Sequence, residues 1–261
     1  MEALSCMLDV AASVGQFSGF SVSSTTGSSV VSHLLFADHT LIFCDAEPSQ
    51  IANLRVILSR FEEVSGLHIN LGKSELVPVG GVHNLETLVG LLGCGLSLPL
   101  KYLGLPLGAK FKNLSVWNPI LERMERRLIG WKRMYLSKRG KATLIKSSLS
   151  SLPTYFLSLL PLPGKVAKHM EKLQRDFLWN GIDGEPKIHL VNWAKVCRPL
   201  QVGGLSIRRL GNFNSALLGK WLRRYGSETD ALWRRVIEAK YGNIWGGWCT
   251  RMVTSPYGVS L

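Results

Sequence analysis

The chain has 261 residues, with 31 lysines and arginines against 18 aspartates and glutamates, and 46% of its residues are hydrophobic. This composition excludes fibrous and intrinsically disordered proteins and is typical of a globular chain with one large or two small domains. The five cysteines contain no C-x-x-C pair, so the sequence encodes neither a disulfide framework nor a four-cysteine zinc site, and it favours a reducing compartment.

The uncharged stretches 10–37, 87–100 and 149–164 do not predict membrane spans. The first is diluted by serine, threonine and glycine, the second is shorter than the roughly 18 apolar residues that a span needs, and the third contains several prolines. The start of the chain lacks the basic region of a signal peptide. We therefore expect a protein that is not secreted and has no membrane partner.

The first hundred residues predict a small α+β region. Residues 1–12 indicate a helix, and residues 15–29, rich in serine, threonine and glycine, indicate a turn-bearing connection. Apolar runs at 30–36 and 40–44 flank Ala37-Asp38-His39 and predict a β-hairpin with Asp38 and His39 at its tip. Apolar spacing over 46–64 predicts a helix that ends at Gly66, followed by a short extended pair at 67–79.

The rest of the chain is predicted to be mainly helical. Glycines and a proline at 102–108 favour a second small hairpin. Amphipathic stripes then predict helices around 117–128, 144–149 and 166–177, and two more helices fall within 212–241. Residues 182–209 are punctuated by glycine and proline and contain short extended pieces.

Charge divides the chain unevenly. Residues 1–100 hold 3 basic and 9 acidic side chains, whereas residues 101–261 hold 28 and 9, a net charge of +19. Residues 110–146 alone hold 11 basic side chains against two glutamates, a field that attracts a polyanion such as nucleic acid. A solvated helix face is the alternative. The candidates for phosphate contacts, which cluster at a helix start predicted after Ser137, are Lys138, Arg139, Lys141 and Lys146.

Asp38 is the first candidate for chemistry. An acidic residue at the tip of an apolar hairpin is held rigidly over a groove, and Mg²⁺ prefers oxygen ligands of this kind. One carboxylate does not make a site, and an ordinary turn residue is the alternative. His33 and His39 lack the further ligands that a zinc site needs, which favours structural histidines.

Residues 32–44, with the sequence SHLLFADHTLIFC, resemble the active-site box of plant LINE-type, non-LTR retrotransposon reverse transcriptases, whose pattern is S-H-L-L-F-A-D-D-T-L-I-F. Further blocks resemble the family in the same order, including SGLHINLGKS at 65–74, KYLGLPLG at 101–108, LSKRGK at 136–141 and GGL at 203–205. The resemblance runs along almost the whole chain. It implies an α+β fold with the carboxy-terminal part of a palm at 1–110, a basic helical thumb at 111–181 and the following connection at 182–261.

The resemblance also implies RNA-directed DNA synthesis by two Mg²⁺ ions, with RNA and DNA as partners and the nucleus or cytoplasm as the compartment. Asp38 matches the first hairpin aspartate, a catalytic metal ligand, whereas His39 stands at the position of the second. The earlier block that supplies another carboxylate has no match in this sequence. We therefore expect the chain to be inactive by itself, because carboxylate loss removes the dominant electrostatic contribution to catalysis, unless an intact copy of the element supplies the missing strands.

Three further residues acquire roles from the resemblance. Lys73 matches a lysine near the nucleotide triphosphate that protonates the leaving group, with a surface lysine as the alternative. Tyr102 and Gly104 match the primer-grip block, with ordinary hairpin packing as the alternative.

Two rival interpretations remain open. The chain is either a non-catalytic nucleic-acid-binding remnant that uses the basic thumb, or a translated piece of a decayed element without function. The last interpretation predicts poor solubility, because missing strands would leave a sheet edge and apolar surface exposed.

Overall fold

A computed structural model of the chain describes residues 2–24, 27–96, 101–106, 113–132, 134–181 and 188–242. The chain divides into two compact units. The first unit is formed by residues 1–108 together with 229–261, and the second by residues 109–228. The palm, thumb and connection assignments stay predictions.

Helices dominate the described residues. They are α1 (Glu2–Ser13), α2 (Pro48–Ser65), α3 (Leu85–Leu92), α4 (Asn118–Lys132), α5 (Lys138–Leu144), α6 (Thr154–Leu157), α7 (Gly164–Trp179), α8 (Trp193–Val196), α9 (Leu210–Ser227) and α10 (Leu232–Tyr241). A π-helical turn, Ile145–Leu149, continues α5, and short 3₁₀ turns lie at Leu71–Lys73, Leu114–Trp117 and Leu200–Val202. None of the described helices combines the length and apolar character that a membrane span requires.

The described strands form four two-stranded sheets. The strands are β1 (Phe20–Ser24), β2 (Gly27–Val31), β3 (His33–Phe36), β4 (His39–Ile42), β5 (Glu75–Leu76), β6 (Gly95–Leu96), β7 (Lys101–Tyr102) and β8 (Leu105–Pro106). The pairs β1–β2, β3–β4 and β7–β8 are antiparallel, and β5–β6 is parallel. Small sheets with many helices confirm the predicted α+β fold class.

The core of the first unit lies between α1 and α2. Pro48 occupies the first turn of α2. N–H groups in the first turn have no partner within the helix, so the N–H that proline lacks costs no hydrogen bond there. Gly66 ends the helix in the left-handed conformation, at φ 69°, which a glycine adopts without steric cost. The resulting α2 face packs against α1 in one buried cluster, whose fully enclosed members are Leu4, Leu8, Ala11, Phe17, Leu54, Ile57 and Phe61.

The second unit is held by apolar stripes on α4 and α7 and by one buried amide. Trp117, Met124 and Met170 are enclosed in its interior. The Asn214 side chain on α9 donates to the carbonyls of Leu157 (2.7 Å) and Leu160 (2.9 Å) and accepts from the Leu162 N–H at 2.9 Å. This one side chain therefore satisfies three backbone groups where α6 ends, joining that segment to α9.

Two local predictions are wrong. The segment 15–29, expected to be a connection, contains β1 and part of β2, because paired backbone groups outweigh the low strand propensity of serine and glycine. The extended pair expected within 67–79 does not form among the described residues there. Instead β5 pairs with β6, beyond α3, since a parallel partner must come from after a crossover.

Candidate functional site

The hairpin at 33–42 is confirmed, and its turn is tighter than predicted. His33 pairs with Ile42 and Phe36 with His39, so Ala37 and Asp38 form the turn and His39 already belongs to β4. Ala37 has a φ of 52°, a left-handed conformation at the first central turn position. The Asp38 side chain is 92% exposed. The hairpin therefore presents one carboxylate to solvent, with the imidazole beside it.

The inner face of the hairpin is anchored to the first helix. Ser5 Oγ on α1 and His33 Nε2 on β3 share a hydrogen bond of 2.7 Å, and Ser32 Oγ lies 2.8 Å from His33 Nδ1. Ile42 packs against the core cluster of the first unit. His33 is thus a structural residue in this geometry, and its hydrogen bonds fix the base of the hairpin, opposite the turn that carries Asp38.

The outer face of the hairpin approaches the second small hairpin. Phe36 is 60% exposed, and its cross-strand neighbour His39 lies edge-on to the Tyr102 ring, with centroids 6.3 Å apart and an interplanar angle of 74°. The structure therefore brings together His39, predicted from the active-site box, and Tyr102, predicted from the primer-grip block. Such edge-to-face geometry is favourable for aromatic rings.

The second hairpin, β7–β8, is also confirmed. Leu103 and Gly104 form its turn, with φ values of 49° and 79°. Two consecutive positive φ values are typical of a type I′ turn, which matches the twist of the flanking strands. Glycine at position 104 adopts this conformation without steric cost, so the turn alone explains its presence.

Lys73 lies at the end of the 3₁₀ turn Leu71–Lys73. Its backbone N–H donates to Asn70 Oδ1 at 3.2 Å, and its side chain is exposed. Within the described part of the chain, the structure records no contact between the Lys73 ammonium and Asp38. The leaving-group role stays a prediction.

The acidic groups at the hairpin do not fit a two-magnesium site. Asp38 Oδ1 lies 4.0 Å from His39 Nε2, and no group of three or more metal-ligating histidine, cysteine or acidic side chains occurs among the described residues. A site for two hard cations needs several carboxylate oxygens. The described residues at the hairpin turn supply one carboxylate, that of Asp38, and a neutral imidazole such as that of His39 contributes no negative charge.

Two of the predicted phosphate-binding lysines contact the end of another helix. Lys138 Nζ donates to the carbonyls of Leu178 and Trp179, both at 2.9 Å, and Lys141 Nζ donates to the carbonyl of Asn180 at 2.8 Å. Lys138 also lies over the Trp179 ring at 5.1 Å. Both ammonium groups therefore sit at the carboxyl end of α7, where the last carbonyls lack helical partners and the dipole favours positive charge.

The remaining candidates on α5 differ from these two. Arg139 is exposed in the first turn of the helix, and Lys146 is half-buried in the π-helical turn. The predicted start of this helix after Ser137 is confirmed, because Ser137 Oγ accepts from the Gly140 N–H at 3.1 Å. Among the four predicted phosphate contacts, Arg139 is exposed and, unlike Lys138 and Lys141, shows no hydrogen bond to the end of α7 in the described residues.

The sequence-based candidate set omitted the arginines of α4. Arg123, Arg126 and Arg127 are exposed, and the last two follow Arg123 by three and four residues, which places all three on the same side of the helix. Within the described residues, no ion pair joins them or Arg139 to a carboxylate. The sequence pattern that could have identified these arginines is their position on the side of α4 opposite its apolar stripe. We call these four residues the α4–α5 arginines.

Three cysteine thiols have environments that lower their reactivity as nucleophiles. Burial is the main cause that raises the pKa of Cys44, Cys94 and Cys197. For Cys197 the pKa rises to about 11, with Glu171 adding to the effect and Arg209 opposing it. A raised pKa keeps the thiol protonated and disfavours nucleophilic chemistry.

Comparison with known proteins gives two partial relatives. The chain is 38% identical over 137 residues to a protein of Arabidopsis thaliana named "Putative ribonuclease H protein", a match covering 52% of this chain and 22% of that protein. It is 33% identical over 92 residues to an uncharacterized mitochondrial protein of the same plant, covering 35% of this chain and 60% of that protein. No family model matches the chain.

Proposed function

We propose that this chain derives from a LINE-type reverse transcriptase and binds RNA or DNA through its second unit without polymerising nucleotides by itself. The observation that carries this proposal is the set of α4–α5 arginines, which are exposed and lack carboxylate partners among the described residues. Guanidinium groups bind phosphate oxygens with two parallel hydrogen bonds.

The layout of α4 supports a binding surface. Ile120, Met124 and Leu128 are buried on one side of the helix, so the side that bears the three α4 arginines faces solvent. The exposed Glu122 and Glu125 reduce the local field, and Glu125 lies 3.7 Å from His169 Nε2. The excess of positive charge over residues 110–146 is nevertheless large enough to attract a polyanion.

The ancestry rests on the ordered resemblance and on the first unit. The hairpin that resembles the active-site box carries Asp38 at its turn, and Tyr102, from the block that resembles the primer grip, packs edge-on against the adjacent His39. The name of one partial relative refers to a class of enzymes that act on RNA. These observations support a nucleic-acid context for the chain.

The same geometry argues against polymerase chemistry by this chain. Phosphoryl transfer depends mainly on the stabilisation of developing negative charge by bound metal ions. The described residues at the hairpin offer one carboxylate, so the proposal requires that other carboxylates come from another chain, such as an intact copy of the element, before Asp38 holds Mg²⁺ productively.

Salt-dependent binding tests the nucleic-acid function. Fluorescence anisotropy with a labelled RNA should give an affinity that falls with salt, and Arg126→Gln, Arg127→Gln and Arg139→Gln should each weaken binding. Each lost phosphate contact should reduce the slope of log affinity against log salt by about 0.7 on single strands. Arg60→Gln is the control with the same charge change, since Arg60 is exposed on α2 of the acidic first unit. Equal effects of all four variants would contradict the assignment.

A nucleotide-incorporation assay tests the absence of polymerisation. The purified chain, supplied with Mg²⁺, labelled nucleotides and a primed RNA template, should incorporate nothing above background. Incorporation that disappears in Asp38→Ala would show that the hairpin is catalytically competent and would overturn this part of the proposal.

A further inference from the structure

Tyr135 is the most exposed of the large aromatic side chains that the structure describes in the second unit, at 94%. Met134, next to it in the chain, and Ile129, on α4, are also exposed, at 53% and 55%. A large aromatic ring left this open is free to contact a partner, and tyrosine combines an apolar ring with a polar tip. Tyr135 lies in the short connection between α4 and α5, and the α4–α5 arginines flank it in the chain.

The backbone that carries Tyr135 is fixed on both sides. Before it, the Met134 N–H donates to the Trp131 carbonyl at 3.1 Å, and the Trp131 ring packs on Phe177 with centroids 5.8 Å apart. After it, Ser137 begins α5, and Lys138 ties the first turn of α5 to the end of α7. An aromatic ring on a fixed turn loses little conformational entropy when it binds a partner.

The arginines that flank Tyr135 in the chain indicate an anionic partner. Arg126 and Arg127 lie in the second half of α4 and Arg139 in the first turn of α5, so cationic groups precede and follow the tyrosine. Exposed aromatic rings within a cationic surface are the arrangement by which proteins bind single-stranded nucleic acid, because bases stack on the ring while cations hold the phosphates. A duplex, whose bases are already stacked, offers the ring no free base face.

We infer that Tyr135 is a stacking platform for an unpaired base of RNA or DNA. This inference rests on the proposed function and adds to it a preference for single-stranded segments. The phenol hydroxyl is not required for stacking, whereas the ring is.

The test compares Tyr135→Ala with Tyr135→Phe by anisotropy on a labelled oligouridine and on a labelled blunt-ended duplex without a loop. Tyr135→Ala should weaken oligouridine binding about tenfold, the typical effect of losing one stacked base, and should leave duplex binding nearly unchanged. Tyr135→Phe should bind as the unsubstituted chain does. Leu222→Ala, at a 76% exposed apolar position on α9, is the control and should bind normally. Ultraviolet cross-linking should attach oligouridine to the peptide that contains Tyr135.

The outcomes separate the two proposals. If the chain binds oligouridine with the expected salt dependence but Tyr135→Ala binds equally well, the stacking role is wrong and the proposed function stands. If Tyr135→Phe loses as much affinity as Tyr135→Ala, the hydroxyl matters and stacking is again refuted. If the unsubstituted chain binds no nucleic acid, the proposed function fails, and the stacking role fails with it.

Discussion

Replacement of Lys141 by methionine should destabilise the second unit and leave its affinity for nucleic acid almost unchanged. The Lys141 side chain is 8% exposed, and its ammonium donates to the Asn180 carbonyl at 2.8 Å. A hydrogen bond from a charged group contributes about 1.5–3 kcal/mol, and a cation at a helix carboxyl end contributes about 0.3–1 kcal/mol. Methionine keeps most of the apolar stem but neither polar contribution, so the free energy of unfolding should fall by about 2–3 kcal/mol.

Urea unfolding followed by tryptophan fluorescence measures this loss, because Trp131 and Trp179 lie in the region that Lys141 joins. Arg139→Met is the matched control on the same helix. Arg139 is exposed, so its replacement should change the unfolding free energy by less than about 0.5 kcal/mol and should weaken oligouridine binding. If Lys141→Met kept full stability and lost affinity as Arg139→Met does, the assignment of Lys141 to the end of α7 would be refuted.

Three further predictions concern buried groups. Asn214→Ala should lower the unfolding free energy by about 2–4 kcal/mol in urea titration, because three backbone groups lose their partner; an effect below about 0.5 kcal/mol would contradict the role of this amide. Gly204→Ala should destabilise the chain strongly, since a Cβ there would lie 2.0 Å from a backbone oxygen, whereas Gly219→Ala, with open space around it in the interior of α9, should stabilise it by about 0.5–1 kcal/mol. Cys197 should react with iodoacetamide with a midpoint near pH 11, because burial raises its pKa to about 11. Mass spectrometry of alkylated peptides checks this, and a midpoint near the ordinary thiol value of about 8.5 would refute it.

Patterns within a short stretch of sequence predicted much of the local structure. The hairpin around Asp38 was predicted because two apolar runs enclose a polar tip, a signal that spans about a dozen residues. The helix that ends at Gly66 and the helix that begins after Ser137 were predicted from residues whose backbone preferences act locally. The buried members of α7, among them Val166, Met170 and Phe177, follow the predicted period.

Contacts between distant segments could not be predicted in this way. Lys141 belongs to a basic cluster in the sequence, which favoured a phosphate contact, and its burial depends on the end of α7, about forty residues later. The helix predicted within 212–241 was recognised from its apolar residues, yet Phe213, Leu217 and Trp221 are half-buried on α9 while the polar Asn214 is buried. A polar side chain can be buried in the core when its hydrogen bonds are satisfied. The spacing of hydrophobic residues does not show whether such partners are present. The approach of Tyr102 to His39 likewise depends on tertiary packing.

The division of the chain also sets an order for folding during synthesis. The second unit is one continuous segment, 109–228, whereas the first unit joins 1–108 to later residues, and its helix α10 contacts β1. Because domains generally fold as units when they leave the ribosome, the continuous unit can mature before α10 has been translated. The entropic cost of closing a long loop grows only with the logarithm of its length, so the interruption costs little at equilibrium. The interruption instead affects the order of folding, because β1 can contact α10 only after residues 109–228 have been synthesised.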